Sequence, residues 1–345
     1  MRKVFVSVID CYPGMKMAET IFNEYGAVIV AENTILDAHL IKKLDNLGFL
    51  KVKIYEQSAD ILLTGDAELF KAQYNENIDI AKSILHDISI GKNINIEAVN
   101  NVSESTIIRI NENRDIVGCI NEIRGVDEYT YTHSVNVSLL CMLIGKWLKL
   151  DIDKIKLLIQ AGLLHDLGKS KISPEIINKP GPLTTEEFAE MKKHTTLGYR
   201  LLESTNKFSK DICLGVLMHH EREDGTGYPM GVKGSQIHEF AKIIAVADIY
   251  DAMTSNRAYR GKESPFEVLE LMEKNTFGIL DMRVISVFLN NIAAYYIGDF
   301  VVLNTGETGE IIYINPRYIS KPLVKCGSKY IDLSVDSRIK ILELK

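Results

Sequence analysis

Seven side chains constrain this chain more than anything else in it: His133, the pair His165-Asp166, His194, the pair His219-His220, and Asp248. They use five of the eight histidines, and their joint use requires a fold that brings distant segments to one point. A His beside an Asp offers a nitrogen and a hard oxygen on consecutive residues, and a carboxylate such as Asp166 can bridge two cations. A donor set of imidazoles and carboxylates without thiolates favours iron, manganese or zinc. Seven donors exceed the four of a tetrahedral zinc and suit two cations with Asp166 between them. Lys169 follows Asp166 by three residues, so on a helix it projects from the same face. A lone His on an apolar helix face is usually a packed core residue. The rest of the set is what singles out His133.

The remaining sequence supplies mostly helices. Residues 1–66 read as a small α/β module, with β-branched runs at Val4-Phe5-Val6 and Val28-Ile29-Val30 and helical spacing across Leu36, Leu40, Ile41, Leu44 and Leu47. Residues 67–109 form a connecting helical segment. It lacks a sustained heptad, which favours packing on a core over a dimer seam. A helix over 128–148 carries His133 along its apolar stripe of Val137, Leu140, Ile144 and Trp147. A second helix, 155–168, ends at Gly168. In it Gly162 lies one turn before Asp166, where a small residue leaves room for a cation and its ligands. After Pro180-Gly181-Pro182, the run Thr184-Thr185-Glu186-Glu187 caps a helix leading toward His194. From 298 to 345 short strands separated by Gly or Asn turns predict a small β appendage, sheet or barrel. The expected fold is therefore mostly α: a helical-bundle domain over 110–292, an N-terminal α/β module and a C-terminal β appendage.

The ordered set resembles the HD-GYP domain, a subgroup of the HD metallophosphohydrolase superfamily. The likeness rests on His133, His165-Asp166 with Gly168-Lys169, His194 with Gly198, the run His219 to Pro229, and Asp248 within Val246 to Thr254. It spans roughly residues 110–292. It implies a helical bundle and metal-dependent hydrolysis of a phosphoric diester, chiefly cyclic di-GMP, to linear pGpG and then GMP. A hydroxide held between two metals would attack phosphorus in line and expel the ribose 3′-oxygen, with Lys169 stabilising the charge that develops. The resemblance makes Tyr228 a base-contacting residue. It makes Arg257 and Arg260 grips for guanine or phosphate, tasks that suit a planar guanidinium. Members with a third metal carry a Glu where this chain has Tyr129, and Glu128 is one residue out of register, so two divalent ions, iron or manganese, are expected. Thr195 replaces the usual Pro and touches no donor.

Other readings stay open from the residues alone. Gly225 to Pro229 is equally an ordinary turn, and Arg257 and Arg260 are equally solvated arginines. Glu221 reads as support for the ligands, and Glu223 and Asp224 as solvation of the loop. The rival functions are hydrolysis of another cyclic dinucleotide or a guanine alarmone, and a nucleotide-sensing module with little turnover. A complete donor set with Lys169 and Tyr228 favours turnover. The net charge of −6 offers no field for duplex nucleic acid. Five scattered cysteines without a Cys-x-x-Cys pair read as reduced thiols of a cytoplasmic protein. No apolar run approaches the length of a membrane span, and Asp10 interrupts the only N-terminal one. A homodimer is left open.

Overall fold

The structure is a computed structural model. It describes residues 3–22, 27–47, 49, 51–55, 63–108, 129–254 and 264–344. The fold is mostly helical, as expected. The N-terminal module pairs β1 (Lys3–Ser7) with β4 (Lys51–Tyr55) and β2 (Ile21–Phe22) with β3 (Val28–Val30), both antiparallel, beside helix α1 (Ala38–Asn46). Its own small core gathers Val8, Met17, Leu36, Leu44, Val52 and Ile54. Leu36, Leu40, Ile41 and Leu44 thus face one cluster, as an amphipathic stripe requires, while Leu47 at the helix end is exposed.

Helices α2 (Leu63–Ser89) and α3 (Ile96–Ile108) pack into the same large core as α4 (Tyr129–Trp147) and α5 (Ile152–Leu164). Buried polar contacts fix their register: Gln160 on α5 donates to Asn100 and Ser103 on α3, both at 3.0 Å. Lys171 donates to the carbonyl of Ile88 at the end of α2. The chain continues through a 3-10 turn (Leu167–Lys171), α6 (Pro174–Ile177), α7 (Thr185–Lys192), α8 (His194–Thr205), α9 (Lys210–Met218), α10 (Glu239–Thr254), α11 (Pro265–Asn275) and α12 (Met282–Ala294). Thr184 caps α7 with the full reciprocal pair to Glu187 that its sequence predicts.

The second predicted helix stops earlier than its apolar pattern suggests. It ends at Leu164, and Asp166 to Lys171 follow as a tighter turn. Side chains three apart eclipse in a 3-10 turn, so Lys169 still lies over Asp166. Gly162 has a different reason from the expected one. A Cβ there would stand 3.0 Å from Cys141 Sγ and 3.1 Å from Ser138 Cα, so the missing side chain lets α4 and α5 approach rather than making room for a cation.

The C-terminal strands β5 (Phe300–Leu303), β6 (Thr308–Tyr313), β7 (Leu323–Cys326), β8 (Lys329–Asp332) and β9 (Ile341–Leu344) form one antiparallel sheet in the order β8-β7-β6-β5-β9. Val301, Leu303, Ile311 and Val324 extend the bundle core into it. The N-terminal module meets the bundle through Lys146, whose ammonium binds Asp10 at 2.6 Å, and through Lys51, which donates to the carbonyl of Tyr295 at 2.7 Å. Lys146 is thirteen residues past His133 on α4, roughly 20 Å along the helix, so this contact is far from the donor cluster.

Candidate metal centre

Three of the five histidines occupy helix ends, and this decides which nitrogen they present. His165 follows α5, His219 follows α9, and His194 begins α8 immediately after α7. The last carbonyls of a helix have no partner within it. Each imidazole uses one: His165 Nδ1 donates to Gly162 O (2.8 Å), His194 Nδ1 to Met191 O (2.7 Å) and His219 Nδ1 to Val216 O (2.7 Å). With the proton held at Nδ1, the lone pair sits on Nε2. His133 lies inside α4, where the backbone carbonyls are engaged in the helix. Its Nδ1 instead meets Asp251 Oδ2 at 2.8 Å.

These Nε2 atoms converge on Asp166. Oδ1 faces His194 (3.4 Å) and His219 (4.0 Å), and Oδ2 faces His165 (3.3 Å) and His133 (3.8 Å). His133 Nε2 also lies 3.1 Å from Asp248 Oδ1. Two groups of donor atoms result, each within 4.8 Å: Asp166, His194, His219 and His220, and His133, His165 and Asp248. One carboxylate thus turns an oxygen toward each group.

Several observations fit divalent cations at this place. His194 Nε2 and His219 Nε2 face each other at 3.4 Å, although the Nδ1 bonds leave both as acceptors. His165 Nε2 and Asp166 Oδ1 are fully buried without a hydrogen-bond partner, an arrangement that costs free energy unless something satisfies it. Burial pushes the imidazoles of His194 and His219 below their usual range and that of His220 down to about 4, so all three present neutral donors. Burial alone would raise Asp166, but the charges of His165 and Lys169 outweigh it and hold this carboxyl well below its usual range. Burial would raise Asp248 as well, but its hydrogen bond to His133 and the neighbouring imidazoles together outweigh it and hold this carboxyl low. His133 is the exception: burial lowers it, yet the bonds to Asp248 and Asp251 raise it well above an ordinary imidazole.

Lys169 directs its ammonium at Asp166 Oδ2 and is partly exposed, so it borders both the donor cluster and solvent. The loop after His220 folds back on its own start, and Tyr228 N donates to His220 O at 3.1 Å. Gly227 makes this possible, since a Cβ there would lie 2.5 Å from three backbone atoms of residues 220–222. The Tyr228 ring packs on His220, with centroids 4.8 Å apart, and reaches toward Phe188 and Lys192. Burial raises its phenol, which stays protonated.

The acidic neighbours differ from their predicted roles. Glu221, 4% exposed, supports no donor histidine. Its carboxylate accepts the backbone N–H groups of Met230, Gly231 and Val232, closing the loop that carries Tyr228. Glu223 is more than solvated loop: it pairs with Lys242 at 2.9 Å, and the same ammonium binds Asp281 at 2.9 Å. Asp224 keeps a local role, accepting from Thr226. Asp251 was not singled out from sequence. Its only signal there was a second acid three residues after Asp248, one helical turn on. Arg257 and Arg260 lie outside the described residues.

Residues 119–284 match the family model of the HD domain. The chain is 33% identical over 243 residues to a cyclic di-GMP phosphodiesterase of Pseudomonas aeruginosa, a stretch covering 70% of this chain and 58% of that protein. It is 36% identical over 178 residues to a 3′3′-cGAMP-specific phosphodiesterase of Vibrio cholerae, covering 51% of this chain and 41% of that protein. It is also 36% identical over 178 residues to a cyclic di-GMP phosphodiesterase of Thermotoga maritima, covering 51% and 47%. The chain therefore spans about half the length of these relatives. Among solved structures, an HDG"Y"P protein of Bdellovibrio bacteriovorus superposes with a TM-score of 0.54 at 18% identity, over 84% of this chain and 99% of that one, which is a likeness of fold. Residues 119–284 thus resemble the HD domain over just under half of the chain, and both donor groups lie within that stretch on the helical bundle.

Proposed function

We propose that this protein is a metal-dependent phosphodiesterase that hydrolyses cyclic di-GMP to linear pGpG, and then GMP. The observation that carries this reading is Asp166, whose two oxygens face two separate histidine groups. His133, His165 and Asp248 would hold one divalent ion and His194, His219 and His220 the other, with Asp166 shared between them. The donor set suits iron or manganese. When bound, the ions supply Lewis-acid chemistry toward a phosphodiester.

The protein's own groups do the rest. The Nδ1 bonds keep the imidazoles of His133, His165, His194 and His219 fixed before substrate arrives, so these four need no reorganisation during reaction. Lys169 holds a positive charge at the open side of Asp166, where a phosphate oxygen gaining charge would be neutralised. Tyr228 offers an aromatic face beside His220, held by the Glu221 carboxylate, on which a base can stack. Arg257 and Arg260 complete the reading as guanine or phosphate contacts. Residues 110–292 are then the hydrolase unit, with 1–66 and 298–345 as flanking modules and 67–109 packed on its core. No described helix is long and apolar enough to cross a membrane. The cysteines described are free thiols, which accords with a cytoplasmic enzyme. A homodimer belongs to the same proposal.

The relative specific for 3′3′-cGAMP supports a second reading, in which another cyclic dinucleotide is preferred. One experiment addresses both: metal analysis on anaerobically purified protein, with turnover of cyclic di-GMP, 3′3′-cGAMP and cyclic di-AMP in parallel. The proposal expects about two ions per chain, fastest turnover of cyclic di-GMP, and loss of metal and activity together in Asp166→Ala. Metal-bearing protein that cleaves none of the three would refute it.

A further inference from the structure

His133 differs from the other histidines of the cluster in what orients it. His165, His194 and His219 each rest on a carbonyl at a helix end, supplied by their own chain segment. His133 sits within α4 and borrows Asp251 from α10. Asp251 is fully buried and, among the described residues, accepts from His133 Nδ1 at Oδ2 and from Asn136 Nδ2 at Oδ1 (3.0 Å). Asn136, 2% exposed, lies one turn after His133 on α4. A carboxamide can present either its N–H or its carbonyl to a neighbour. Two buried neighbours fix its orientation here: the Asp251 carboxylate accepts from the amide end, and Tyr74, itself 2% exposed, donates to Asn136 Oδ1 at 2.7 Å and holds the carbonyl end.

Tyr74 belongs to α2, outside residues 119–284 that match the HD domain. We infer that Tyr74 is a positioning residue for the metal centre: acting through Asn136 and Asp251, it holds His133 with its Nε2 atom toward Asp248 and Asp166. One of the two donor groups then depends, through this hydrogen-bonded chain, on a helix N-terminal to the HD domain. Residues 63–89 are part of the working centre, and the Tyr74 hydroxyl acts on the cation position that His133 serves. The inference rests on the reading of His133 as a ligand.

The test is Mn²⁺ titration of the full-length chain followed by electron paramagnetic resonance, for wild type, Tyr74→Phe, Asp251→Asn and His133→Ala. Tyr74→Phe keeps the ring and removes one hydroxyl. It should leave one ion bound with wild-type affinity and weaken the other about tenfold, and Asp251→Asn should weaken the same ion about 10- to 100-fold, the range for groups that orient metal ligands. Melting of the metal-free chain serves as the check on folding. A variant that only loosens the fold lowers this melting temperature and weakens both ions together. Tyr74→Phe with both affinities unchanged, or both weakened equally, overturns the inference. If wild type binds no Mn²⁺, or His133→Ala binds both ions as wild type does, the ligand reading fails and takes this inference with it.

Discussion

Gly168→Ala is the substitution whose cost follows most directly from the geometry. Gly168 lies in the 3-10 turn between Asp166 and Lys169. A Cβ at this position would stand 1.9 Å from His194 O and 2.5 Å from Gly198 N, both backbone atoms of α8 that cannot rotate away. Real Cβ contacts essentially never fall below 3.0 Å, so the turn and α8 must part by at least 1.1 Å. Asp166 Oδ1 is only 3.4 Å from His194 Nε2, so the displacement is about a third of that spacing. Overpacking alone costs about 1–3 kcal/mol, toward the upper end where backbone meets backbone. Misplacing a reacting group by about 1 Å costs on the order of 10²-fold in rate. Gly198→Ala is the matched comparison. Its Cβ would meet Val216 Cγ1 at 3.0 Å and Gly168 N at 3.3 Å, contacts relieved by a few tenths of an ångström. It also gains about 1 kcal/mol of helix propensity. Turnover at saturating Mn²⁺, metal content and melting temperature should therefore rank wild type close to Gly198→Ala and both well above Gly168→Ala. If Gly168→Ala keeps turnover within about threefold of wild type, or both alanines are equally damaging, the close approach is not what positions Asp166.

Three further outcomes follow from the same arrangement. Lys169→Ala should retain both ions while turnover falls roughly 10²–10³-fold, the scale for losing one donor to developing charge; loss of metal alongside activity would place Lys169 in support of Asp166 instead. Tyr228→Ala should weaken cyclic di-GMP binding about ten- to a hundredfold, since a stacked base is worth about 1–3 kcal/mol, yet leave hydrolysis of bis(p-nitrophenyl) phosphate nearly unchanged; a parallel fall in both would mean that the ring mainly props His220, on which it packs. Metal affinity should fall as pH drops below the raised value of His133, because the proton on Nε2 must leave before a cation binds, whereas His194, His219 and His220 are held low and do not compete. Calorimetry across pH 6 to 8 should show tighter binding at the alkaline end with about one proton released, and a flat profile would contradict this assignment.

The sequence alone was enough to list the candidate donors. His133 would pass singly for a packed core histidine, but His133, His165, Asp166, His194, His219, His220 and Asp248 are conspicuous as a set, and the structure gathers all seven. The helix pattern, the Thr184 cap and the β texture after residue 298 are likewise local properties, decided within a few residues. Tertiary structure decided everything that depends on what lies across a contact. Gly162 and Gly168 look alike in sequence, yet one admits helix α4 and the other the backbone at His194. Glu221 sits beside two donor histidines but closes a loop ten residues on. Asp251 and Tyr74 carry no motif, and only the packing of α2 and α10 against α4 puts them in line behind His133. The physical reason is range: propensity and periodicity are set by neighbours along the chain, whereas a buried polar group takes its meaning from partners that may lie more than a hundred residues away.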